Sequence, residues 1–303
     1  MFLDRRARRS VALMLRSVVR KTPANLFRSA LLRRSASTSV VAAVVQAAPV
    51  FMDTQATAAK ASELIGDAAA QGASIVAFPE SFMPAFPYGA WHHGVKRNMA
   101  FYRSLFLSAC ALDGPEVSQV AAAARRHSCV VVMGLTERDG GSLYNTQLFI
   151  DADGKLMGAR RKLKPTSAER LIWGEGDGSG LRVMETPHGR LGGLICGEHN
   201  LALARFTMQA QQEQIHVASY PDPFMEGQPF ADRVDAAVRH YAAEGQCYVL
   251  NATGFLGDDA RAALAQGHHS LEADAAVGAR HNKRLAAQKV GRQARHDLFA
   301  GGV

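Results

Sequence analysis

Three kinds of side chain in this 303-residue sequence could together support nucleophilic attack by sulfur on an electrophilic carbon. A thiol, Cys196, directly follows an apolar, strand-like run, and a carboxylate, Glu80, follows a second such run. An ammonium group, Lys162 or Lys164, lies where a third predicted strand ends. The set offers a nucleophile, a base for its proton and a cation for developing negative charge. Spacing alone equally allows solvated strand ends and a buried, inert cysteine.

The elements that must position these side chains alternate between strand-like and helix-like segments over residues 39–256. β-branched apolar runs are followed by segments with apolar residues at helical spacing. The alternation predicts an α/β layered fold with a largely parallel core, which binds ligands at the carboxyl ends of its strands. An Asp-Gly pair at 153–154 predicts an antiparallel hairpin. Gly197 is expected to give the turn after Cys196 a positive φ.

The net charge of +8 is concentrated at the start of the chain. Ten basic side chains fall in residues 1–38 beside a single acidic one, Asp4, which leaves a net charge of −1 for residues 39–303. The larger part therefore lacks the basic surface that binds nucleic acid. The Arg-, Ser-, Ala- and Leu-rich start is typical of a mitochondrial transit peptide, with a disordered basic tail as the alternative. We expect a cytoplasmic or mitochondrial protein.

Hydropathy and cysteine spacing favour a globular protein from a reducing compartment. The 48% hydrophobic content suits one large α/β domain or two small ones. No apolar run reaches the roughly 18 residues that span a bilayer, so we expect no membrane partner. The cysteines form no C-x-x-C pair, which predicts neither a zinc site nor a disulfide framework. They are Cys110, Cys129, Cys196 and Cys247.

Five blocks of sequence resemble the nitrilase branch of the carbon–nitrogen hydrolase superfamily. They are FPESFMPAFPYG at 78–89, RKLKPTSAER at 161–170, WGEGDGSGL at 173–181, CGEH at 196–199 and EQIHVASYP at 213–221. The blocks follow the family's order, and the likeness covers about residues 39–260. It implies a four-layer α-β-β-α sandwich and a Glu-Lys-Cys triad.

The resemblance places the triad on Glu80, Lys162 and Cys196, and it prefers Lys162 to Lys164 as the lysine of the Arg-Lys pair. Glu169 matches an additional active-site carboxylate of the family. Two weaker candidates are Glu137 and Glu198, of which Glu198 is expected to support the turn. Three residues are predicted to contact substrate: Trp91, Trp173 and Gly197. His92 and His93 are expected to be loop or packing histidines.

The implied activity is hydrolysis of a small nitrile to a carboxylic acid and ammonia through a thioimidate and a thioester, with no metal or organic cofactor. A hydratase or amidase of the same superfamily is the alternative, and an inactive paralogue acting as an interaction subunit is a third. The family also implies homodimers that extend into spirals.

Two features depart from the family pattern. Many members carry Trp after the cysteine, where this chain has Gly197. The family continues beyond the Asn251 strand with further strands, which are not recognisable in 257–303, so the sheet is expected to be incomplete there. The sequence thus divides into a basic segment at 1–38, a hydrolase domain at 39–256 and an atypical tail at 257–303.

Overall fold

The computed structural model describes residues 40–92, 95–222 and 230–264. The predictions made for the segment 1–38, for His93 and for most of 257–303 therefore fall outside the described residues. Within the described part, no helix is both long enough and apolar enough to cross a membrane.

The first sheet is mixed, with strand order β1-β2-β3-β4-β5 and a short β6 beside β4. Its strands are β1 (Ala42–Val44), β2 (Ile75–Ala77), β3 (Val130–Asp139), β4 (Ser142–Ile150), β5 (Leu156–Arg161) and β6 (Trp173–Gly174). β1, β2 and β3 are parallel, whereas β3, β4 and β5 are antiparallel. The hairpin at 153–154 is confirmed. A second hairpin, between β3 and β4, was not predicted, and its turn contains Gly140 at φ 57°.

The second sheet has the order β10-β9-β8-β7 among the described residues. Its strands are β7 (Met184–Thr186), β8 (Gly189–Ile195), β9 (Ile215–Tyr220) and β10 (Tyr248–Thr253). β8, β9 and β10 are parallel, and β7 pairs with β8 in the antiparallel sense. Each sheet is thus parallel from one edge strand to its interior and antiparallel toward the opposite edge.

Helices cover the outer faces of both sheets. The helices are α1 (Thr54–Ala70), α2 (Gly89–His92), α3 (Val95–Ser108), α4 (Pro115–His127), α5 (Ala202–Ala210) and α6 (Phe230–Gly245). α1 and α4 pack on the first sheet, where Ile65 and Val120 join its buried core. α5 and α6 pack on the second sheet through residues such as Met208 and Val238.

The two sheets face each other across an apolar layer. Ile75, Val130 and Val132 of the first sheet share one buried cluster with Leu191 and Val217 of the second. The four layers confirm the predicted α-β-β-α sandwich. Residues 258–264, the last that are described, are helical.

The carboxyl ends of the central strands meet at one end of the sandwich. The Glu80 N–H, just beyond β2, donates to the Tyr220 carbonyl at the end of β9 over 3.3 Å. The Ser219 hydroxyl likewise donates to the carbonyl of Phe78 at 3.2 Å. These bonds hold the ends of β2 and β9 together, with the end of β8 beside β9.

Candidate active site

A lysine is buried between two carboxylates at this end of the sandwich. Lys162 follows β5, and its Nζ donates to Glu80 Oε1 and to Glu169 Oε2, each over 2.7 Å. Burial alone lowers the pKa of this lysine, but Glu169 and Glu80 outweigh it and raise that pKa well above the ordinary value. Lys162 is therefore a fixed cation. Lys164, the alternative, is exposed and pairs with Glu175.

The thiol lies on a turn with unusual backbone geometry. β8 ends at Ile195, and Cys196 takes φ 49° before a short 3₁₀ helix at Cys196–Asn200. A positive φ at a non-glycine residue is costly and is found preferentially at functional sites. The expectation that Gly197 supplies the positive φ is wrong, because Cys196 itself takes the left-handed conformation.

Gly197 is required for a different reason. A Cβ on this residue would lie 2.6 Å from Thr166 Oγ1, closer than van der Waals contact permits. The missing side chain thus lets the loop of Thr166 approach the cysteine turn. That loop also carries Glu169, which accepts a hydrogen bond from the Thr166 N–H at 2.7 Å. The predicted substrate contact of Gly197 remains a prediction.

Glu80 is placed to exchange a proton with the thiol. Its Oε1 accepts from Lys162 and from Asn145 Nδ2, each at 2.7 Å, whereas Oε2 accepts no hydrogen bond from a nitrogen or oxygen atom of any described residue. Burial raises the pKa of Glu80 to about 7 despite the opposing effect of Lys162. Burial and then Glu80 raise the pKa of the Cys196 thiol well above its ordinary value, while Lys162 opposes them. The resting thiol is therefore protonated, and the Glu80 carboxylate is the acidic group that acts on it most strongly.

Glu198 stabilises the cysteine turn through an ion pair and backbone hydrogen bonds. Its carboxylate forms a two-pronged ion pair with Arg160 at 2.7 and 2.8 Å, and accepts from the Ile195 and Leu163 N–H groups at 2.7 Å each. Burial raises the pKa of Glu198, but Arg160 and these backbone donors outweigh it and lower it. Glu198 thereby joins the ends of β5 and β8. The other weaker candidate, Glu137, is held by Arg161 and Thr146.

We predict that Arg160→Met lowers the free energy of unfolding by about 3–5 kcal/mol, since it leaves the Glu198 carboxylate buried without its cation. Both side chains are essentially inaccessible to solvent. Urea unfolding at neutral pH measures the change. Arg239→Met is the matched control, because Arg239 pairs with Asp235 on the surface and its removal is expected to have little effect. Equal unfolding midpoints for Arg160→Met and wild type would contradict the prediction.

An aromatic cluster lies beside the carboxylates. Trp173 is buried on β6 and packs against Phe86 with ring centroids 5.7 Å apart, and Trp91 of α2 is partly buried in the same cluster. Tyr88 belongs to the same cluster, and burial, then Asp222 and Glu80, raise the pKa of its phenol. The placement is compatible with the predicted substrate contacts of Trp91 and Trp173. The His92 side chain lies outside what the structure describes.

Sequence reasoning missed Asn145, which donates to Glu80. A signal was present, because Asn, Thr and Gln occupy 145–147 in a strand that is otherwise mostly apolar, and buried polar side chains need partners. Gln147, the third of them, donates to the Ser219 hydroxyl across the sandwich at 3.0 Å. His199, His216 and Glu213 were also missed as a group, although they lie in two of the quoted blocks. Among the described residues, no cluster of His, Cys, Asp and Glu suits a metal ion.

Comparison with known proteins identifies relatives of this chain. The family model described as carbon–nitrogen hydrolase matches residues 41–277. A nitrilase from Paraburkholderia phymatum is 42% identical over 72% of this chain and 64% of its own length. An aliphatic nitrilase from Rhodococcus rhodochrous is 45% identical over 70% of this chain and 59% of its own. The chain thus spans about three fifths of these relatives.

Solved structures resemble the fold. The crystal structure of a carbon–nitrogen hydrolase from Helicobacter pylori superposes with a TM-score of 0.59, covering 73% of this chain and 76% of the other at 18% identity. At that identity the likeness speaks for the sandwich architecture alone.

Proposed function

Since this chain belongs to the nitrilase branch of the carbon–nitrogen hydrolase family, we propose that it hydrolyses a nitrile to a carboxylic acid and ammonia. The observation that carries the proposal is the buried Lys162 between Glu80 and Glu169, beside a cysteine on a strained turn. These groups suit an electrophilic carbon bonded to nitrogen, because a nucleophile, a base and a fixed cation converge on one point.

In the first step the Cys196 sulfur attacks the nitrile carbon and one C–N π bond breaks. The thiol proton passes to Glu80 and from there to the former nitrile nitrogen, which gives a neutral thioimidate. Lys162 stabilises the negative charge that develops on this nitrogen, since its ammonium group is held in place by two carboxylates.

In the second step Glu80 takes a proton from water, whose oxygen adds to the thioimidate carbon. Glu80 returns that proton to the nitrogen, which gives a tetrahedral carbon bearing OH, NH2 and sulfur. The C–N bond then breaks as the hydroxyl proton passes to the departing nitrogen, so that ammonia leaves and a thioester remains. A second water hydrolyses the thioester, which releases the carboxylic acid and the thiol. Glu169 acts through Lys162, whose orientation it fixes.

We expect kcat/KM for nitrile hydrolysis to rise with pH through a midpoint near 7, because Glu80 must be ionised to act as a base and its pKa is raised to about 7. Below that pH the carboxyl group is protonated and cannot accept the thiol proton. The hydrogen bond from Asn145 lowers the Glu80 pKa, so Asn145→Leu should move the midpoint to higher pH. Ammonia release followed from about pH 5 to about pH 8.5 measures the midpoint in both proteins. A kcat/KM that does not change with pH over this range would contradict the assignment of Glu80 as the base.

A panel of nitriles with product analysis tests the proposal. Phenylacetonitrile and short aliphatic nitriles are each incubated with the full-length protein, and acid, amide and ammonia are quantified. Equal amounts of acid and ammonia support nitrile hydrolysis. Amide without ammonia would instead assign a hydratase, and turnover of amides alone would assign an amidase. Failure of a folded, monodisperse protein to turn over any nitrile or amide would overturn the enzymatic assignment.

A further inference from the structure

A chain of three buried side chains ends on the backbone of Cys196. We call it the relay: Glu213, His216 and His199. Glu213 Oε1 lies 2.8 Å from His216 Nδ1, and the two imidazoles face each other with their Nε2 atoms 3.0 Å apart. His199 Nδ1 lies 2.9 Å from the Cys196 carbonyl oxygen. All three side chains are buried, with at most 4% of each residue exposed.

The surroundings hold the relay in one orientation. The Tyr241 hydroxyl donates to the second carboxylate oxygen of Glu213 at 2.6 Å, and the Tyr241 ring stacks on His216 with centroids 3.8 Å apart. His199 stacks on Tyr220 at 5.2 Å. The Glu213 carboxylate passes so close to β8 that a Cβ on Gly192 would lie 2.1 Å from it. β8 therefore needs glycine at this position.

Hydrogen-bonding chemistry fixes the direction of the relay. A carbonyl oxygen only accepts, so His199 donates from Nδ1–H to Cys196. Each of the three hydrogen bonds in the relay needs one proton between its two heavy atoms. Two neutral imidazoles supply only two of these protons. The third proton therefore resides on Glu213 or makes one imidazole doubly protonated. Burial, followed by His216, lowers the pKa of His199 well below its ordinary value, so the third proton does not reside on His199.

The orientation of one carbonyl also sets that of the next N–H. A trans peptide is planar, so its C=O and N–H point in opposite directions. Holding the Cys196 carbonyl toward His199 turns the Gly197 N–H away from the relay. At nucleophile turns between a strand and a helix, the N–H after the nucleophile is a donor to the charge that develops on the substrate.

We propose that His199, backed by His216 and Glu213, is a positioning residue that locks the Cys196–Gly197 peptide with the Gly197 N–H directed at the nitrogen of the bound nitrile. The inference rests on the proposed nitrile hydrolysis. It gives the buried histidine pair a role distinct from that of Glu80 and Lys162, which act on the proton and the charge directly.

Two substitutions of His199 separate positioning from packing. In His199→Asn the amide nitrogen takes about the place of Nδ1 and can still donate to Cys196, whereas in His199→Gln it takes about the place of Nε2 and cannot. We expect the Gln variant to lose about 10²–10³-fold in kcat with little change in KM, the loss typical of one missing donor to developing charge. The Asn variant should keep at least about tenfold more activity than the Gln variant. His240→Gln, a surface control on α6, should match wild type.

Alkylation by iodoacetamide provides the second readout. It consumes the Cys196 thiol by displacement at carbon and develops no charge near Gly197, so we expect both variants to react at the wild-type rate. Nitrogen-15 NMR of histidine-labelled protein should find the His199 proton on Nδ1.

Several results would overturn the inference while leaving nitrile hydrolysis intact. These are equal kcat losses in the Asn and Gln variants, a parallel fall in alkylation rate and thermal midpoint, or a His199 proton on Nε2. A wild-type protein without nitrile turnover would overturn the proposed function itself, and this inference with it.

Discussion

Replacement of Cys196 by alanine is expected to reduce ammonia release from nitriles by at least about 10⁴-fold, the scale on which loss of a covalent nucleophile reduces kcat. Neither Glu80 nor Lys162 can replace the sulfur as nucleophile, because the two form an ion pair in which Lys162 Nζ donates to Glu80 Oε1 at 2.7 Å. Ammonia release under saturating nitrile measures the loss. Mass spectrometry of the wild-type protein during turnover should reveal a covalent acyl adduct that the variant lacks.

The fold should survive this substitution. Only the sulfur is removed, and the positive φ at position 196 is no more costly for alanine than for cysteine. Cys110→Ala is a matched control, since this thiol is also buried but belongs to the core of the first sheet. It is expected to keep near wild-type turnover. Nitrile hydrolysis by folded Cys196→Ala at more than a few per cent of the wild-type rate would remove Cys196 as the nucleophile.

Local pattern was sufficient to find most of the central strands and several site residues. The strands that precede Glu80 and Cys196 are short apolar runs with abrupt ends. Such runs are visible in sequence because apolar residues form them and turn-forming residues such as glycine and proline mark where they end. The family likeness then selected Lys162 over Lys164. The structure agrees with that choice in geometry, since Lys162 is buried between carboxylates whereas Lys164 is exposed.

What the sequence could not supply depends on contacts between distant residues. Asn145 is 65 positions from Glu80, and no periodicity relates them. The left-handed residue of the turn was placed on Gly197 because glycine adopts positive φ most easily. Cys196 takes it instead, and the glycine is needed where Thr166 approaches. Helices α2 and α3 were missed because the segment mixes aromatic, basic and small residues without a clear apolar stripe.

Loss of the Lys162 charge should have a large effect on activity and a smaller, pH-dependent effect on stability. Lys162→Met leaves Glu80 and Glu169 buried beside each other without the cation that both now contact at 2.7 Å. We expect kcat to fall about 10²–10³-fold or more, because developing charge on the nitrile nitrogen loses its stabilising partner. The free energy of unfolding should fall by about 3–5 kcal/mol near neutral pH, as when other buried ion pairs lose one member.

The pH dependence of that loss identifies its cause. Lys162 lowers the pKa of Glu80, which burial already raises to about 7 in the folded wild type, so removing Lys162 raises that pKa further above the unfolded value. A group with a raised folded-state pKa favours the fold at low pH and loses that contribution as pH rises. The difference in unfolding free energy between wild type and Lys162→Met should therefore grow as the pH rises above about 7, where Glu80 ionises in the wild type but stays protonated in the variant. Urea unfolding at each pH measures this difference. Lys164→Met is the control, because Lys164 is two residues away and exposed, and it should show neither the activity loss nor the pH trend. Equal behaviour of the two variants would contradict the assignment of Lys162 to the active site.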